Sequence, residues 1–213
     1  MEKYKTNRIF RLLSKENPHP KTELKYINRY SFLISVVLSA QSTDVSVNKV
    51  TKYLFKVAKN PEEMVDLGEK KLKKFIKTIG LYNSKAKNII LLSKELIKKY
   101  NSKIPKEFDK LVSLPGVGNK TASVYQNAIL KLPRIAVDTH VFRVSNRLGI
   151  VKTLTADQTQ LQLEKIVPKK WKMDAHHLLI FHGRRVCKSQ NPSCDQCLLN
   201  KWCSYNQVNL KLL

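Results

Sequence analysis

Apolar positions along the chain recur mainly at three- and four-residue intervals. The segments RIFRLL, YSFLISVVL, VNKVTKYLFKVA, AKNIILLSKELIKKY, TASVYQNAILKL, VFRVSNRLGI and AHHLLIFHGRRVC each place an apolar stripe along one side of a helix. No segment alternates convincingly with the two-residue period of a half-buried strand. The only β-like run is the short RIAVD, residues 134–138. Pro61, Pro105, Pro133 and Pro168 fall between the helical segments, where a residue that lacks an amide donor serves as a breaker. The pattern predicts an all-α protein. The longest apolar run, residues 30–40, is too short for the roughly 20 residues that a membrane-spanning helix needs, and it reads as a buried core helix.

Composition narrows the class. A chain of 213 residues with 42% hydrophobic content can bury one large core or two small ones and is not a disordered chain. Lys and Arg number 40 against 16 Asp and Glu, a formal charge of +24. Such a charge favours a polyanionic partner, with nucleic acid foremost. The competing reading is a set of solvated lysines, since most of them sit on helical faces and few form tight clusters. The N-terminal stretch MEKYKTNRIFRLL is charged and amphipathic and lacks the apolar core of a cleavable signal, so a cytoplasmic protein with no membrane partner is expected. There is no low-complexity tract, flexible linker or internal repeat, and composition alone does not place a domain boundary.

Two of the six glycines share one turn. In FDKLVSLPGVGNKTASVYQNAIL, a short helix leads through Leu114-Pro115-Gly116-Val117-Gly118 into a second helix that contains Thr121. Glycines there permit positive φ and close approach of the backbone to a partner. Amides at the start of the second helix carry partial positive charge and suit a phosphate. This is the pattern of a helix-hairpin-helix, which grips DNA backbone without reading sequence. The plainer reading is an αα-corner ended by a glycine cap.

Lys120 falls in the first turn of the second helix, where the dipole repels a cation and favours the neutral amine. A neutral amine is a nucleophile that can form a Schiff base with an aldehyde-like sugar carbon. Asp138 opens the next helix and suits an N-cap, a role compatible with catalysis. All four cysteines lie in one short stretch, Cys187-x6-Cys194-x2-Cys197-x5-Cys203. They suggest a metal rather than disulfides. Spacing alone leaves both a tetrahedral zinc and a [4Fe–4S] cluster open. Arg184, Arg185 and Lys188 beside the first cysteine read either as phosphate contacts or as solvated charges. His176, His177 and His182 read as packed or hydrogen-bonded side chains, whereas His140, two residues after Asp138, is placed to line a pocket.

LPGVGNKTASV followed by IAVDTHVFRVSNR, and the cysteine spacing after HGRRVC, resemble the endonuclease III family of DNA glycosylases in the helix-hairpin-helix superfamily. The resemblance covers essentially the whole chain. It implies two all-α lobes with the active site in a cleft between them. One is a six-helix block over residues 23–133 with the hairpin, and the other joins residues 1–22 to residues 134–213. It implies that Lys120 attacks C1′ of the damaged nucleotide, that Asp138 assists departure of the base, and that β-elimination nicks the strand. It selects a [4Fe–4S] cluster on Cys187, Cys194, Cys197 and Cys203, with a structural role. The target nucleotide must leave the duplex. By resemblance, Gln41 fills the gap opposite the orphan base and Leu81 is the apolar wedge. Asp44 also matches a family position and reads as the N-cap of the helix from Val45. Val112 stands where some relatives carry an acidic residue, which bears on lesion preference. The expected enzyme is a monomer that acts on double-stranded DNA with oxidised pyrimidines or abasic sites. A monofunctional adenine glycosylase is the alternative, but such relatives generally lack the hairpin lysine and carry a further C-terminal domain. A non-catalytic DNA-binding module would not need Lys120 and Asp138 together.

Overall fold

The structure is a computed structural model that describes the backbone of residues 2–209 and the side-chain surroundings of residues 3–206. Met1 and residues 210–213, which the sequence assigns to the second lobe, lie outside the described residues. The chain forms α1 (Glu2–Glu16), α2 (Arg29–Ser39), α3 (Asp44–Val57), α4 (Pro61–Ile76), α5 (Tyr82–Tyr100) and α6 (Phe108–Val112). There follow α7 (Asn119–Leu130), α8 (Thr139–Arg147), α9 (Ala156–Ile166), α10 (Lys169–Lys172), α11 (Ala175–Arg185), a 3-10 turn (Asn200–Trp202) and α12 (Ser204–Asn209). The described residues contain no strand. No described helix is long and apolar enough to cross a membrane.

Two compact units divide the chain. Glu23–Leu130 holds the six helices α2–α7. At its centre α2 is buried from Tyr30 to Leu38, which explains why that segment is apolar on every side. A capping box starts it: the Asn28 side chain accepts the Ser31 amide at 2.8 Å, and the Ser31 hydroxyl accepts the Asn28 amide at 2.9 Å.

The other unit joins Met1–Thr22 to Lys131–Leu213. Its core packs Ile9, Phe10 and Leu13 of α1 against Val141 and Val144 of α8, Leu163 of α9, and Leu178 and Leu179 of α11. Each such side chain, fully buried, contributes about 1.5–3 kcal/mol. The Trp171 indole N–H donates to the Asn7 side chain at 2.8 Å and further ties α1 into this unit. RIAVD forms neither helix nor strand. Ile135, Ala136 and Val137 are buried, and His176 Nδ1 donates to the Ala136 carbonyl at 2.7 Å.

Two helices, α4 and α9, arise where the apolar pattern is weak. Pro61 does not separate α4 from its surroundings but starts it, at the first position where no amide donor is needed. Gly68, with φ 73° and ψ 160°, breaks the middle of α4. In α9 only Leu163 is a buried apolar side chain, beside buried Thr159 and Gln160.

Candidate active site and cysteine centre

The Gly-rich segment folds as a helical hairpin of α6, a six-residue turn and α7. Leu114 N donates to Leu111 O at 3.1 Å and Val117 N to Leu114 O at 3.0 Å, which curls the turn. Gly116 has φ +79°, and a Cβ there would stand 3.0 Å from the Asn88 Cβ, so this position requires glycine. Gly118 lacks positive φ and faces open space. Leu114, Val117 and Thr121 are buried, so the turn anchors itself through their side chains. What it presents outward is backbone at exposed Gly116 and Gly118, beside half-buried Pro115. The Gln126 amide donates to Lys106 O at 2.8 Å and fixes α7 to the chain preceding α6. Lys120 is the second residue of α7 and is half-buried; Val112 ends α6 and is half-buried.

Asp138 is the N-cap of α8. Its carboxylate accepts the Val141 amide at 2.8 Å. His140, on the same turn, accepts from Arg143 at 3.2 Å through Nδ1. Burial holds its imidazole below the usual histidine range, Arg143 and Arg184 push the same way, and the Asp138 carboxylate opposes them.

One turn apart on α8, Arg143 and Arg147 both reach the first cysteine. Arg143 donates to Cys187 O at 3.0 and 3.1 Å and to Gly183 O at 2.9 Å. Arg147 donates to Lys188 O at 2.6 Å and to Ser189 O at 3.0 Å, and stands 3.7 Å from Cys187 Sγ. The helix capped by Asp138 therefore also braces the loop of cysteines. The motif VFRVSNR contains both arginines at helical spacing, a signal that could have marked them. Arg184, Arg185 and Lys188 are exposed, and the Arg185 guanidinium lies 5.1 Å from the Phe181 ring centroid.

All four cysteines are free thiols, and all four line one small cavity with His182, Pro192 and Asn200. Among the described residues, no three His, Cys, Asp or Glu side chains converge tightly enough to hold a single metal ion. Burial pushes the Cys197 thiol up to about 11, against a backbone hydrogen bond from Leu199, and the three other sulfurs push the same way as burial. Cys194 is raised by burial and then by Cys203 and Cys187. Four thiolates gathered here need a positive core to balance them. His182 is buried with Nε2 3.6 Å from Cys197 Sγ, and burial lowers it to about 4, so the ring is neutral. The donor set fits a multi-iron cluster.

Gln41 and Leu81 are both exposed and both left-handed, with φ 53° and 58°. Leu81, 58% exposed, is not a core residue. Thr43 rather than Asp44 caps α3: its hydroxyl accepts the Ser46 amide at 3.2 Å. Asp44 is the first helical residue, where its charge still complements the dipole. Between these turns lies Lys85, which the sequence did not single out. It is buried, and burial lowers its pKa. A lysine one turn into an amphipathic helix gives no sign in sequence that it points inward.

This geometry has close counterparts. Residues 34–169 match the model of the HhH-GPD superfamily of base excision DNA repair proteins. An endonuclease III from Rickettsia conorii is 52% identical over 205 residues, which are 96% of this chain and 97% of that protein. The Escherichia coli endonuclease III is 46% identical over 97% of this chain and 98% of its own length. A structure of a trapped endonuclease III–DNA covalent intermediate, an estranged-adenine complex, matches with a TM-score of 0.92 and 41% identity, over 98% of each chain. The chain belongs to the endonuclease III family of the HhH-GPD superfamily.

Proposed function

We propose that this chain is a bifunctional base-excision enzyme that removes oxidised or ring-saturated pyrimidines from duplex DNA and then cuts the abasic strand. The observation that carries this reading is the near full-length likeness to an endonuclease III caught as a covalent intermediate with DNA, in a chain whose hairpin helix carries Lys120 in its first turn. As a neutral amine, Lys120 attacks C1′, the N-glycosidic bond breaks, and the base departs with the bonding electrons and takes up a proton. The Asp138 carboxylate balances the positive charge that develops at the sugar. The amine then loses a proton and the C1′–O4′ bond opens, with O4′ taking up a proton, and the iminium so formed acidifies the C2′ proton. Loss of that proton expels the 3′ phosphate, and water then releases the lysine.

The remaining residues support access and grip. Exposed amides around Gly116 and Gly118 hold phosphate, with Leu114, Val117 and Thr121 as the buried foundation of that turn. Gln41 and Leu81 occupy the gap that the flipped nucleotide leaves. Arg184, Arg185, Lys188 and His140 add charge or polarity beside DNA. Cys187, Cys194, Cys197 and Cys203 would hold a [4Fe–4S] cluster. That group, when bound, would supply a rigid covalent cross-link to a loop that otherwise meets the core of its unit through Leu199 and Cys203. Arg143 and Arg147 transmit the order of the loop to α8. The protein acts as a monomer in the cytoplasm, where bacterial chromosomes lie.

The test is product analysis on a duplex with thymine glycol. The expected result is free damaged base together with a strand cut 3′ to the lesion that bears an unsaturated aldehyde, without added alkali. Base release from an intact strand indicates the monofunctional reading, and neither product removes the enzyme reading altogether.

A further inference from the structure

We propose that Lys85 is a positioning residue that sets the Gln41 turn and the Leu81 turn as one unit. This rests on the reading that Gln41 and Leu81 enter the duplex. The side chain of Lys85 is buried, with a residue exposure of 6%. A buried ammonium is tolerated only where its donors find acceptors, and Lys has three. Here Nζ donates to the Leu38 carbonyl at 2.8 Å, to the Ala40 carbonyl, and to the Ser42 hydroxyl at 3.3 Å. Ala40 and Ser42 are the residues on either side of Gln41. The two carbonyls also belong to the C-terminal end of α2, where backbone acceptors lack helical partners and a cation is favoured.

The same residue holds the second turn through its backbone. Its amide donates to the Leu81 carbonyl at 3.0 Å, which closes the first turn of α5 directly behind Leu81. The two turns abut at Gly80, where a Cβ would stand 3.2 Å from the Gln41 carbonyl and 3.7 Å from the Ser42 hydroxyl. Both Gln41 and Leu81 adopt left-handed backbone without being glycine. Each such conformation is strained for a residue with a Cβ and persists only where the surroundings over-determine it. Neither residue is fixed by its own burial, because both are exposed. Lys85 supplies the missing constraint from beneath, with its side chain on one turn and its amide on the other. An apolar residue would fill the same volume but would leave the carbonyls beside Gln41 unpaired.

The experiment uses a duplex with a tetrahydrofuran abasic analogue opposite 2-aminopurine. Anisotropy reads binding, and 2-aminopurine emission at saturation reads unstacking of the opposite base. The intact protein raises the emission. Gln41→Ala and Leu81→Ala serve as references, and both are expected to bind yet to give a reduced rise. Lys85→Met is expected to bind with near-normal affinity, to give the same reduced rise, and to cut a thymine glycol duplex roughly tenfold more slowly. Retained emission in both reference variants removes the reading of Gln41 and Leu81. Reduced emission in those two with a full rise in Lys85→Met overturns the role of Lys85 alone. An affinity loss in Lys85→Met that tracks lost thermal stability also overturns it, since that marks general unfolding. If Lys85→Met does not fold, Gly80→Ala takes its place by pressing a Cβ on the Gln41 carbonyl. A reduced rise at intact affinity in that variant supports the coupled turns, and a full rise overturns them.

Discussion

The Asp138 carboxylate accepts the Val141 amide at 2.8 Å and caps α8, and the same group is proposed to balance charge at the sugar. Asn caps a helix about as well as Asp, so one pair of substitutions separates the roles. Asp138→Asn is expected to leave the melting temperature near that of the native protein and to slow single-turnover base removal about a hundredfold. Asp138→Ala loses the cap as well, at about 1 kcal/mol. Unimpaired base removal by Asp138→Asn leaves the carboxylate as a cap only. At this scale the cap at Asp138 was legible from its residue type, whereas its partnership in catalysis rests mainly on resemblance; for Lys120 chemistry and motif point the same way. Lys85 was not, because its partners are backbone carbonyls far away in sequence, such as Leu38 O; the spacing of Arg143 and Arg147 marks a shared helix face but not that it reaches Cys187 and Lys188.

Among the elements, the hairpin rests on Gly116. Its φ of +79° and the Asn88 side chain 3.0 Å from a Cβ both oppose any larger residue. Gly116→Ala is expected to destabilise the fold by about 1–2 kcal/mol and to weaken binding of an abasic duplex, with the loss read by fluorescence anisotropy. Native affinity in that variant detaches the turn from DNA binding. The strongly periodic helices were readable from the apolar stripe alone: α1, α3, α5, α7, α8 and α11 all contain segments with that period, while α2 was readable as a continuous apolar run. The helix α4 was not, because Gly68 interrupts its register and its buried Met64, Leu72 and Ile76 are widely spaced among charges. α9 escapes for a related reason, since Thr159 and Gln160 take core positions. At the start of α3, two adjacent polar residues compete for the cap. Thr43 takes it through its hydroxyl, and the choice is set by backbone geometry that residue type does not reveal.

For the whole molecule, a charge of +24, a hairpin that presents backbone amides, and four sulfurs around one cavity bear on a single task. The charge favours a polyanion, and the hairpin is proposed to grip it without reading sequence. The cysteine loop, braced to α8 through Arg143 and Arg147, holds the helix that Asp138 caps. None of these features by itself requires chemistry, and a DNA-binding module could share all three. The amine of Lys120 distinguishes an enzyme from such a module, because a Schiff base with the sugar can be reduced to a permanent bond. Borohydride added during reaction with an abasic duplex is therefore predicted to trap the native chain on DNA, with the adduct mapped to Lys120 by mass spectrometry. Lys120→Gln is predicted to bind the same duplex and give no adduct. A native protein that neither nicks nor traps, or an adduct that persists undiminished in Lys120→Gln, would contradict the account.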